Sequence, residues 1–452
     1  MEDRNQSAPE KAGLRRAIRL PQATAMVVGT IIGASIFVQP SEITGRVPSV
    51  AGVFLVWLIS GILTFFGALV SAELSSTFTR SGGVYVFLKE AFSPALGFLW
   101  GWAMFWVMHS GIIAAIAVIF ARYLAYFLPL PEIGVKAAAV GAIVVLTAVN
   151  AAGIKQGSTV QTLFTLGKLI AIISIIVAGI VLGGRLPEHF SGAGTAGGAV
   201  SGQSFLLALI AGLFAFGGWH MVTYSAEETV RPEKTIPRAL LLGTAIVTVC
   251  YIALNAVYLY ILPLGTVASS TRVAADAADA LLGSGGGAIM SGLVVFSTFG
   301  ALSGIIYCGP RVYYAMARDG LLFHWVGEIH PKRRTPQRAL ILQAGWSSAL
   351  VVTGTYRALF TRVVYTEWIF FGLMAAGLFV LRRRAGLVPG FKVWGYPVVP
   401  AIFIASSFII VANQVVSSPG ESAVGLSLVA AGLPVYIMWS KRQGKISAGA
   451  KP

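Results

Sequence analysis

The chain has 452 residues, of which 56% are hydrophobic and 11% are charged. Soluble domains carry about 25% charged residues, so this composition excludes a soluble globular protein and indicates an integral membrane protein. The apolar runs are continuous over about 20 residues, which also excludes a transmembrane β-barrel with its alternating pattern. The chain contains no P-loop, no HExxH sequence and no GxSxG nucleophile elbow, so no motif supports an enzyme.

The net charge of +16 is large enough to suggest a nucleic-acid partner. Most of the 33 lysines and arginines, however, lie in the two tails and in alternate loops, all on one side of the predicted membrane. This asymmetry follows the positive-inside rule. We therefore expect no nucleic-acid partner, a location in the plasma (inner) membrane and both termini in the cytoplasm.

Windows of about 20 apolar residues predict twelve membrane-spanning segments, numbered one to twelve along the chain. Their approximate spans are 23–44, 51–78, 96–127, 136–152, 159–182, 204–226, 239–262, 286–317, 338–354, 363–381, 398–417 and 422–440. An even number of segments agrees with both termini lying on the same side of the membrane.

Glycines interrupt segments one and six, and these interruptions decide the predicted fold. Segment one contains Gly29 and Gly33, and segment six contains the pair Gly217 and Gly218. Backbone that leaves the helix inside a membrane exposes N–H and C=O groups that lipid cannot satisfy, so a break persists only where it lines a cavity or holds a ligand. Matching breaks in the two halves of a chain indicate the substrate site of a transporter.

The spacing of the two breaks predicts a repeat of five segments, and an odd repeat must cross the membrane the second time in the opposite orientation. We therefore predict an all-α polytopic membrane protein of 12 transmembrane helices with a 5+5 inverted-topology repeat, in which helices 1 and 6 are unwound. The predicted divisions are a cytoplasmic N-terminal tail (1–22), the first five-helix repeat (23–182), the second, inverted repeat (204–381), helices 11 and 12 (398–440) and a cytoplasmic C-terminal tail (441–452).

The two breaks suit the two ends of an amino acid. Small residues in the first break leave N–H groups that can face a carboxylate, and the half-helix beyond it adds the positive end of its dipole. Carbonyls released in the second break can accept hydrogen bonds from an ammonium group, with Phe214 or Trp219 closing over the bound molecule. The alternatives are GxxxG helix packing through Gly29 and Gly33, and ordinary packing of the two aromatic rings.

Lys168 lies about nine residues inside segment five, roughly 13 Å along a helix. A cation at that depth costs at least ~2.5–3.5 kcal/mol, so we expect Lys168 to face polar groups in the protein interior. Its ammonium can donate three hydrogen bonds to freed carbonyls, which a bound sodium ion would otherwise take as ligands. Arg122 and Arg311 lie nearer the ends of segments, where the favoured interpretation is snorkelling to the membrane surface.

Other titratable residues have weaker assignments. His109 and His220 titrate near neutral pH and could relay protons, although a neutral, hydrogen-bonded interior histidine is the preferred interpretation for His109. His220 follows the second break by two residues and can equally line the edge of the site. Glu73, Glu227 and Glu228 are interpreted as partners of an inner gate or loop, with a solvated helix end as the alternative for Glu228.

Six stretches of the chain resemble the amino acid–polyamine–organocation (APC) superfamily, most closely its L-type amino acid transporter branch and bacterial relatives. They are GTIIGASIFVQP, SGGVYVFLKEAF, GSTVQTLFTLGKLIAI, FAFGGWHMVTYSAEE, RDGLLFHWVGEIHPKRRTP and GYPVVPAIF. The resemblance covers nearly the whole chain in order. It implies the five-plus-five inverted-repeat fold first recognised in a bacterial leucine transporter, and transport by alternating access.

The resemblance also implies residue roles. The α-carboxylate of a substrate would be held by Thr30, Ile31, Gly33, Ala34 and Ser35. The α-amino group would be held by Phe214, Ala215 and Gly217, with Phe214 as the gate. Lys168 would stand in the second sodium site and make transport sodium-independent. The chain departs from the family pattern at Ser35, His220 and Ser303, and we include His220 and Ser303 among the candidate substrate-binding residues.

The leading hypothesis is a sodium-independent secondary transporter of small neutral L-amino acids that works by exchange or facilitated movement. The alternatives are a proton-coupled amino acid symporter and, from different classes, a channel or a transporter-like amino acid sensor. We expect no cofactor and no metal. Animal members of the family bond to a glycoprotein through a cysteine between segments three and four, and Leu128 to Val135 contains none, so we expect no disulfide-linked glycoprotein subunit.

Overall fold

The computed structural model describes residues 16–33, 35–182, 200–283, 285–354, 356–384 and 386–449. The regular structure in these ranges is helical, and the β pairing recorded there is one isolated bridge between Ile18 and Thr229. Within the same ranges, ten helical stretches are long and apolar enough to cross a membrane, judged by length and composition. The prediction of an all-helical, multi-pass membrane protein is confirmed.

The described ranges contain nineteen α-helices. In chain order the α-helices are α1 (Leu20–Ile31), α2 (Gln39–Arg46), α3 (Val50–Thr77), α4 (Val84–Ala91), α5 (Pro94–Ala103), α6 (His109–Leu124), α7 (Glu132–Ala152), α8 (Ile154–Leu182), α9 (Gly202–Ala215), α10 (Pro232–Ile261), α11 (Leu264–Ser269), α12 (Val273–Leu282), α13 (Gly286–Cys308), α14 (Pro310–Arg318), α15 (Gln337–Thr353), α16 (Tyr356–Arg382), α17 (Val398–Ser417), α18 (Pro419–Ala430) and α19 (Gly432–Gly449). The other helical elements are the 3-10 helices Ser35–Phe37, Trp219–Glu228 and His324–Gly327 and the π-helix Met104–Met108.

Two of the twelve predicted segments are not among the ten spanning stretches of the described ranges. Segment one contributes α1, whose 12 residues extend roughly 18 Å, well short of a hydrocarbon core of about 30 Å. Segment nine contributes α15, whose 17 residues extend roughly 26 Å. The count of twelve therefore remains a prediction.

Segment one leaves α-helical geometry near its middle. The helix α1 ends at Ile31, and Ile32 has a ψ of 85°. A 3-10 turn follows at Ser35–Phe37, and α2 begins at Gln39. The last carbonyls of α1 consequently have no N–H partners further along their own helix.

Segment six changes conformation at its glycine pair. The helix α9 ends at Ala215, and Gly218 adopts a φ of +97° before the 3-10 helix Trp219–Glu228 begins. This left-handed backbone conformation strongly favours glycine. The glycine pair thus stops the helix and allows the chain to turn into the tighter 3-10 form.

The helix α1 occupies the interior of the bundle. It packs against α8, α10, α13 and the 3-10 helix Trp219–Glu228. The outer helices are much less covered, since 17% of the most apolar window in Pro419–Lys441 is buried, against 83% for Pro94–Leu124. The polar groups of the first break are therefore enclosed by protein, as a broken membrane helix requires.

Candidate functional site

The two helix breaks lie against each other. The hydroxyl oxygen of Thr30 lies 3.1 Å from the carbonyl oxygen of Gly218 and 2.7 Å from that of Met26 in its own helix. A Cβ atom at Gly218 would lie 3.0 Å from the carbonyl oxygen of Thr30. Glycine is therefore favoured at position 218 both by its backbone conformation and by this close approach, and the two breaks are in direct contact.

Tyr251 of α10 bridges the same two breaks. Its hydroxyl oxygen lies 3.0 Å from the carbonyl oxygen of Ile31 and 3.0 Å from that of Ala215, at the ends of α1 and α9. A hydroxyl has one hydrogen, so Tyr251 donates to one of these carbonyls at a time. The sequence offers little signal for this residue beyond a tyrosine in an apolar segment.

Lys168 of α8 satisfies carbonyls of the first break. Its Nζ atom donates to the carbonyl oxygen of Gly29 at 2.9 Å and to that of Ile32 at 2.8 Å. The side chain is fully buried. The structure thus places Lys168 in the protein interior against polar partners, and both of these partners belong to segment one.

The other residues predicted for the carboxylate are buried beside the first break. A Cβ atom at Gly33 would lie 3.4 Å from the Cβ atom of Ala301, so this glycine faces α13. Ile31 ends α1, and Ser35, 4% exposed, opens the 3-10 turn. Ala34 lies outside the described residues.

The residues predicted for the amino group lie at the end of α9. The N–H of Gly217 donates to the carbonyl oxygen of Phe214 at 2.9 Å, which forms a tight turn. The Phe214 side chain is buried. The carbonyl of Ala215 faces Tyr251 but has a second lone pair, so it can still accept a hydrogen bond from a ligand.

His220 and Ser303 contact elements away from the breaks. The ring of His220 packs against Phe371 at 4.8 Å and Tyr224 at 5.4 Å between centroids, and its Nδ1 atom has no hydrogen-bond partner in the described part of the chain. The hydroxyl and carbonyl oxygens of Ser303 lie 3.3 and 3.2 Å from the amide nitrogen of Asn150. Their role in substrate binding remains a prediction.

Glu367 of α16 is a buried acid that sequence reasoning missed. It is 6% exposed and makes no hydrogen bond or ion pair with any residue that the structure describes. It lies one helical turn before Phe371, the ring that covers His220. An unpaired carboxyl inside a membrane-spanning helix is costly and is by default a functional candidate. Its signal was available, since it lies inside predicted segment ten.

Arg311 does not snorkel, and the interpretation from its position near a segment end is wrong. Its Nε and Nη2 atoms each lie 3.1 Å from an oxygen of Glu228, and both side chains are almost fully buried. The hydroxyl of Tyr307 donates to the same carboxylate at 2.9 Å. A bidentate partner inside the protein removes the need for the cation to reach water. The solvated-end alternative for Glu228 is likewise wrong.

The backbone just before α1 is hydrogen-bonded to the backbone of Glu228 and its neighbour Val230. The N–H groups of Ala17 and Ile18 donate to the carbonyl oxygen of Glu228 at 2.8 and 2.9 Å. The N–H of Val230 donates back to the carbonyl oxygen of Ile18 at 2.8 Å. These hydrogen bonds join the start of α1 to the end of the 3-10 helix Trp219–Glu228, and the pair of Arg311 with Glu228 adds α14 to the same junction.

Other acidic residues at this end of the bundle are paired as well. Glu73 accepts from Arg382 at 2.7 and 2.6 Å, and Glu227 accepts from Arg318 at 2.9 Å. The interpretation of Glu73 and Glu227 as partners of an inner gate or loop remains a prediction, and the structure pairs each of them with an arginine. All four residues lie at the end of the bundle that carries the basic loops.

Asp319, just beyond α14, connects this helix to α4. Its carboxylate accepts from Lys89 at 2.6 Å and from the hydroxyl of Tyr85 at 2.7 Å. Burial opposes its ionisation, but these hydrogen bonds and the charges of Lys89 and Arg80 outweigh burial and lower the pKa of Asp319. The carboxylate is therefore charged at neutral pH.

Comparison with known proteins identifies the family. Residues 18–439 match the model of the amino acid permease family. The chain belongs to this family. The predicted resemblance to the APC superfamily is thus confirmed, and the protein is a transporter and not an enzyme.

Three relatives illustrate the range of this family. The chain is 33% identical to the serine/threonine exchanger SteT of Bacillus subtilis over 438 residues, which cover 96% of this chain and 99% of the relative. It is 31% identical to the cystine/glutamate transporter of Homo sapiens over 446 residues, 96% of this chain and 87% of the relative. It is 33% identical to the large neutral amino acids transporter small subunit 2 of Mus musculus over 443 residues, 94% of this chain and 81% of the relative.

Lys168→Ala should slow amino acid exchange at least about tenfold, because two buried carbonyl oxygens lose their donor at a cost of ~1–3 kcal/mol each. Exchange of a labelled amino acid in proteoliposomes with matched protein content measures this. Lys136→Ala is the control, since Lys136 donates to the carbonyl of Val352 at 2.7 Å on the exposed surface. A Lys168→Ala rate equal to that of the wild type would contradict the assignment.

Arg311→Met should lower the thermal unfolding temperature in detergent strongly, because it leaves Glu228 buried and unpaired at a cost of ~3–5 kcal/mol. The double variant Arg311→Met/Glu228→Gln should recover part of the loss. Arg338→Met is the control, since its 2.6 Å pair with Glu328 is about half exposed and contributes little. A double variant no more stable than Arg311→Met would show that the two charges do not depend on each other.

Proposed function

We propose that the protein is a sodium-independent secondary transporter of small neutral L-amino acids, working by alternating access as an exchanger or facilitator. The observation that carries the proposal is the contact of the Lys168 ammonium with the carbonyl oxygens of Gly29 and Ile32. The ammonium supplies the positive charge and the donors that a sodium ion would supply at this place. The first break then needs no ion from solution.

The proposed architecture has twelve membrane-spanning segments, with repeats at 23–182 and 204–381 and helices 11 and 12 at 398–440. Support comes from the ends of α1 and α9, where the first segment of each proposed repeat stops being α-helical. The basic loops support tails 1–22 and 441–452 in the cytoplasm and a location in the plasma (inner) membrane.

The two breaks are proposed to hold the two ends of one amino acid. Thr30, Ile31, Gly33, Ala34 and Ser35 would bind the carboxylate, and Phe214, Ala215 and Gly217 would bind the amino group. Contact between Thr30 and Gly218 at 3.1 Å supports this, since it brings both groups of residues within reach of one small molecule. Phe214 is proposed as the gate, with His220 and Ser303 at the edge of the site.

The choice of substrate rests on charge and size. The relatives are named for serine and threonine, for cystine and glutamate, and for large neutral amino acids, so family membership leaves the substrate open. The charge of Lys168 is directed at two protein carbonyls and not at a substrate side chain. Ser35 adds a side chain where the resemblance implies close backbone approach. Small neutral amino acids such as alanine and serine fit this arrangement best.

No covalent partner is proposed. Cys250 and Cys308 lie within α10 and α13, and Leu128 to Val135 contains no cysteine that could bond to a glycoprotein. The proposed partners are therefore the substrate and the lipid bilayer.

A proton-coupled symporter is the second candidate, and Glu367 is the observation that favours it. A buried carboxyl without a partner is more stable neutral than charged, so it must bind a proton when the site closes and can release it when water enters. The neighbouring Nδ1 atom of His220 is also buried without a hydrogen-bond partner in the described ranges, and its ring packs against that of Tyr224. These groups could bind water and pass the proton on.

Uptake into proteoliposomes separates the candidates. We expect exchange of alanine, serine and leucine that does not change when sodium is replaced by a large organic cation, and little accumulation driven by a proton gradient. Arginine or glutamate competing better than alanine, or sodium-stimulated uptake, would overturn the leading proposal. Accumulation that follows the proton gradient and disappears in Glu367→Gln would establish the symporter instead.

Phe214→Ala tests the gate. The variant should mainly slow turnover, with a smaller effect on affinity, because the ring is proposed to cover the substrate in the occluded state. Rates and half-saturation concentrations of exchange measure both quantities. Phe408→Ala is the control, since this ring of α17 is 65% exposed on the outside of the bundle. Unchanged turnover in Phe214→Ala would remove this residue from the gate.

A further inference from the structure

A cavity of about 380 Å³ lies away from the two breaks, at the end of the bundle that carries the basic loops. Its volume falls in the range of small-molecule sites. It is enclosed by α5, α14, α15, α19 and the loop after α14, and apolar and aromatic side chains line nearly all of it. Four tryptophans contribute to the lining: Trp102, Trp106, Trp325 and Trp439.

The cavity has a protected floor and an exposed mouth. Met316 and Ala339 at the floor are almost fully buried. At the mouth, Phe323 is 50% exposed, Trp325 44% and Leu342 39%. Exposed apolar and aromatic side chains of this size suit contact with lipid at the edge of a bilayer.

The aromatic walls are held in place by hydrogen bonds. The indole N–H of Trp439 donates to the carbonyl oxygen of Gly320 at 2.7 Å, and that of Trp102 donates to Leu428 at 2.8 Å. The rings of Phe323 and Trp439 meet edge to face, with centroids 4.6 Å apart. Fixed walls make this a shaped cavity, because the rings cannot turn inward to fill it.

The lining of the cavity is almost entirely apolar. Tyr313 of α14 contributes its ring, and its hydroxyl oxygen is buried in the protein behind the cavity wall. An occupant of the cavity would therefore present an apolar body to these side chains.

Basic residues lie next to lining residues of the mouth and on the loop that contributes Phe323 and Trp325 to it. Arg338 donates from Nη1 to the carbonyl oxygen of Trp325 at 3.3 Å, and Lys441 is exposed two residues after Trp439. Lys332 and Arg333 are exposed on the same loop, between α14 and α15. The two acidic side chains of this loop are both paired, Asp319 with Lys89 and Glu328 with Arg338. The excess of positive charge suits an anionic headgroup.

We propose that this cavity binds an anionic glycerophospholipid of the adjacent leaflet. The first part of one acyl chain occupies the cavity. The headgroup lies at the basic edge, and the rest of the chain leaves through the lipid-facing mouth. Trp and Tyr side chains are the residues that suit this depth of a membrane.

The proposed site lies next to the junction of α1, the 3-10 helix Trp219–Glu228 and α14. Tyr313 and Met316 lie on α14 together with Arg311, which forms the buried pair with Glu228. A lipid against these two side chains braces α14 in the position that makes the ion pair. Binding therefore stabilises this closed arrangement. The proposal does not depend on which substrate is carried or on the coupling ion.

The test compares neighbouring variants on α15. Leu342 lines the mouth, whereas Ile341, 63% exposed, is not among the lining residues. Purified protein is mixed with phosphatidylglycerol or phosphatidylcholine of identical chains, and native mass spectrometry counts the retained lipid. We expect one phosphatidylglycerol on the wild type and on Ile341→Trp. Leu342→Trp should lower retention at least about tenfold, because the larger side chain fills the mouth of the cavity. Adding phosphatidylglycerol should raise the temperature of thermal unfolding only for the proteins that retain this lipid.

Three results would overturn the proposal. Equal retention by Leu342→Trp and Ile341→Trp would place the lipid elsewhere. Equal retention of phosphatidylglycerol and phosphatidylcholine would show that the site does not select an anionic headgroup. Dimers cross-linked through residue 342 without retained lipid would show that a second copy covers the mouth. None of these readouts uses transport, so they remain distinct from failure of the proposed function.

Discussion

A helix that stops inside a membrane leaves carbonyl oxygens without N–H partners, and this constraint organises the centre of the protein. The end of α1 meets it with two side chains from different helices. Lys168 donates to Gly29 and Ile32, and Tyr251 lies within hydrogen-bonding distance of Ile31. The first break consequently ties α8 and α10 to α1, and the fold around it depends on groups that also face the proposed substrate.

The same arrangement links the two breaks to each other. The hydroxyl of Tyr251 has one hydrogen for two carbonyls, those of Ile31 and Ala215. The hydroxyl of Thr30 similarly chooses between Gly218 and its own helix. Each hydroxyl therefore donates to one carbonyl at a time, and both hydroxyls hold the ends of the two breaks against each other.

Buried charge is treated in two ways in this molecule. Arg311 and Glu228 neutralise each other with bidentate geometry, and their backbone neighbours close the chain below the breaks. Glu367 has no such partner among the described residues, although it is nearly as deeply buried. A paired charge holds a structure in place, whereas an unpaired acid must change its protonation state or meet a ligand as its surroundings open and close. The contrast separates a closing contact from a candidate functional group.

The sequence by itself determined the membrane class, the helical fold and the family. The long apolar runs and the small number of charged residues can be read directly from the sequence. The positions of the breaks follow from glycine, because its conformational freedom is a property of the residue itself. It also predicted an interior Lys168, because depth in a segment can be counted. The residue that a side chain contacts on a neighbouring helix cannot be found by counting along the chain. The bridging role of Tyr251, the partner of Arg311 and the isolation of Glu367 each depend on residues more than 35 positions away in the chain. Only the tertiary structure decides such pairings, since segment position fixes depth in the membrane but not which neighbouring helix a side chain faces.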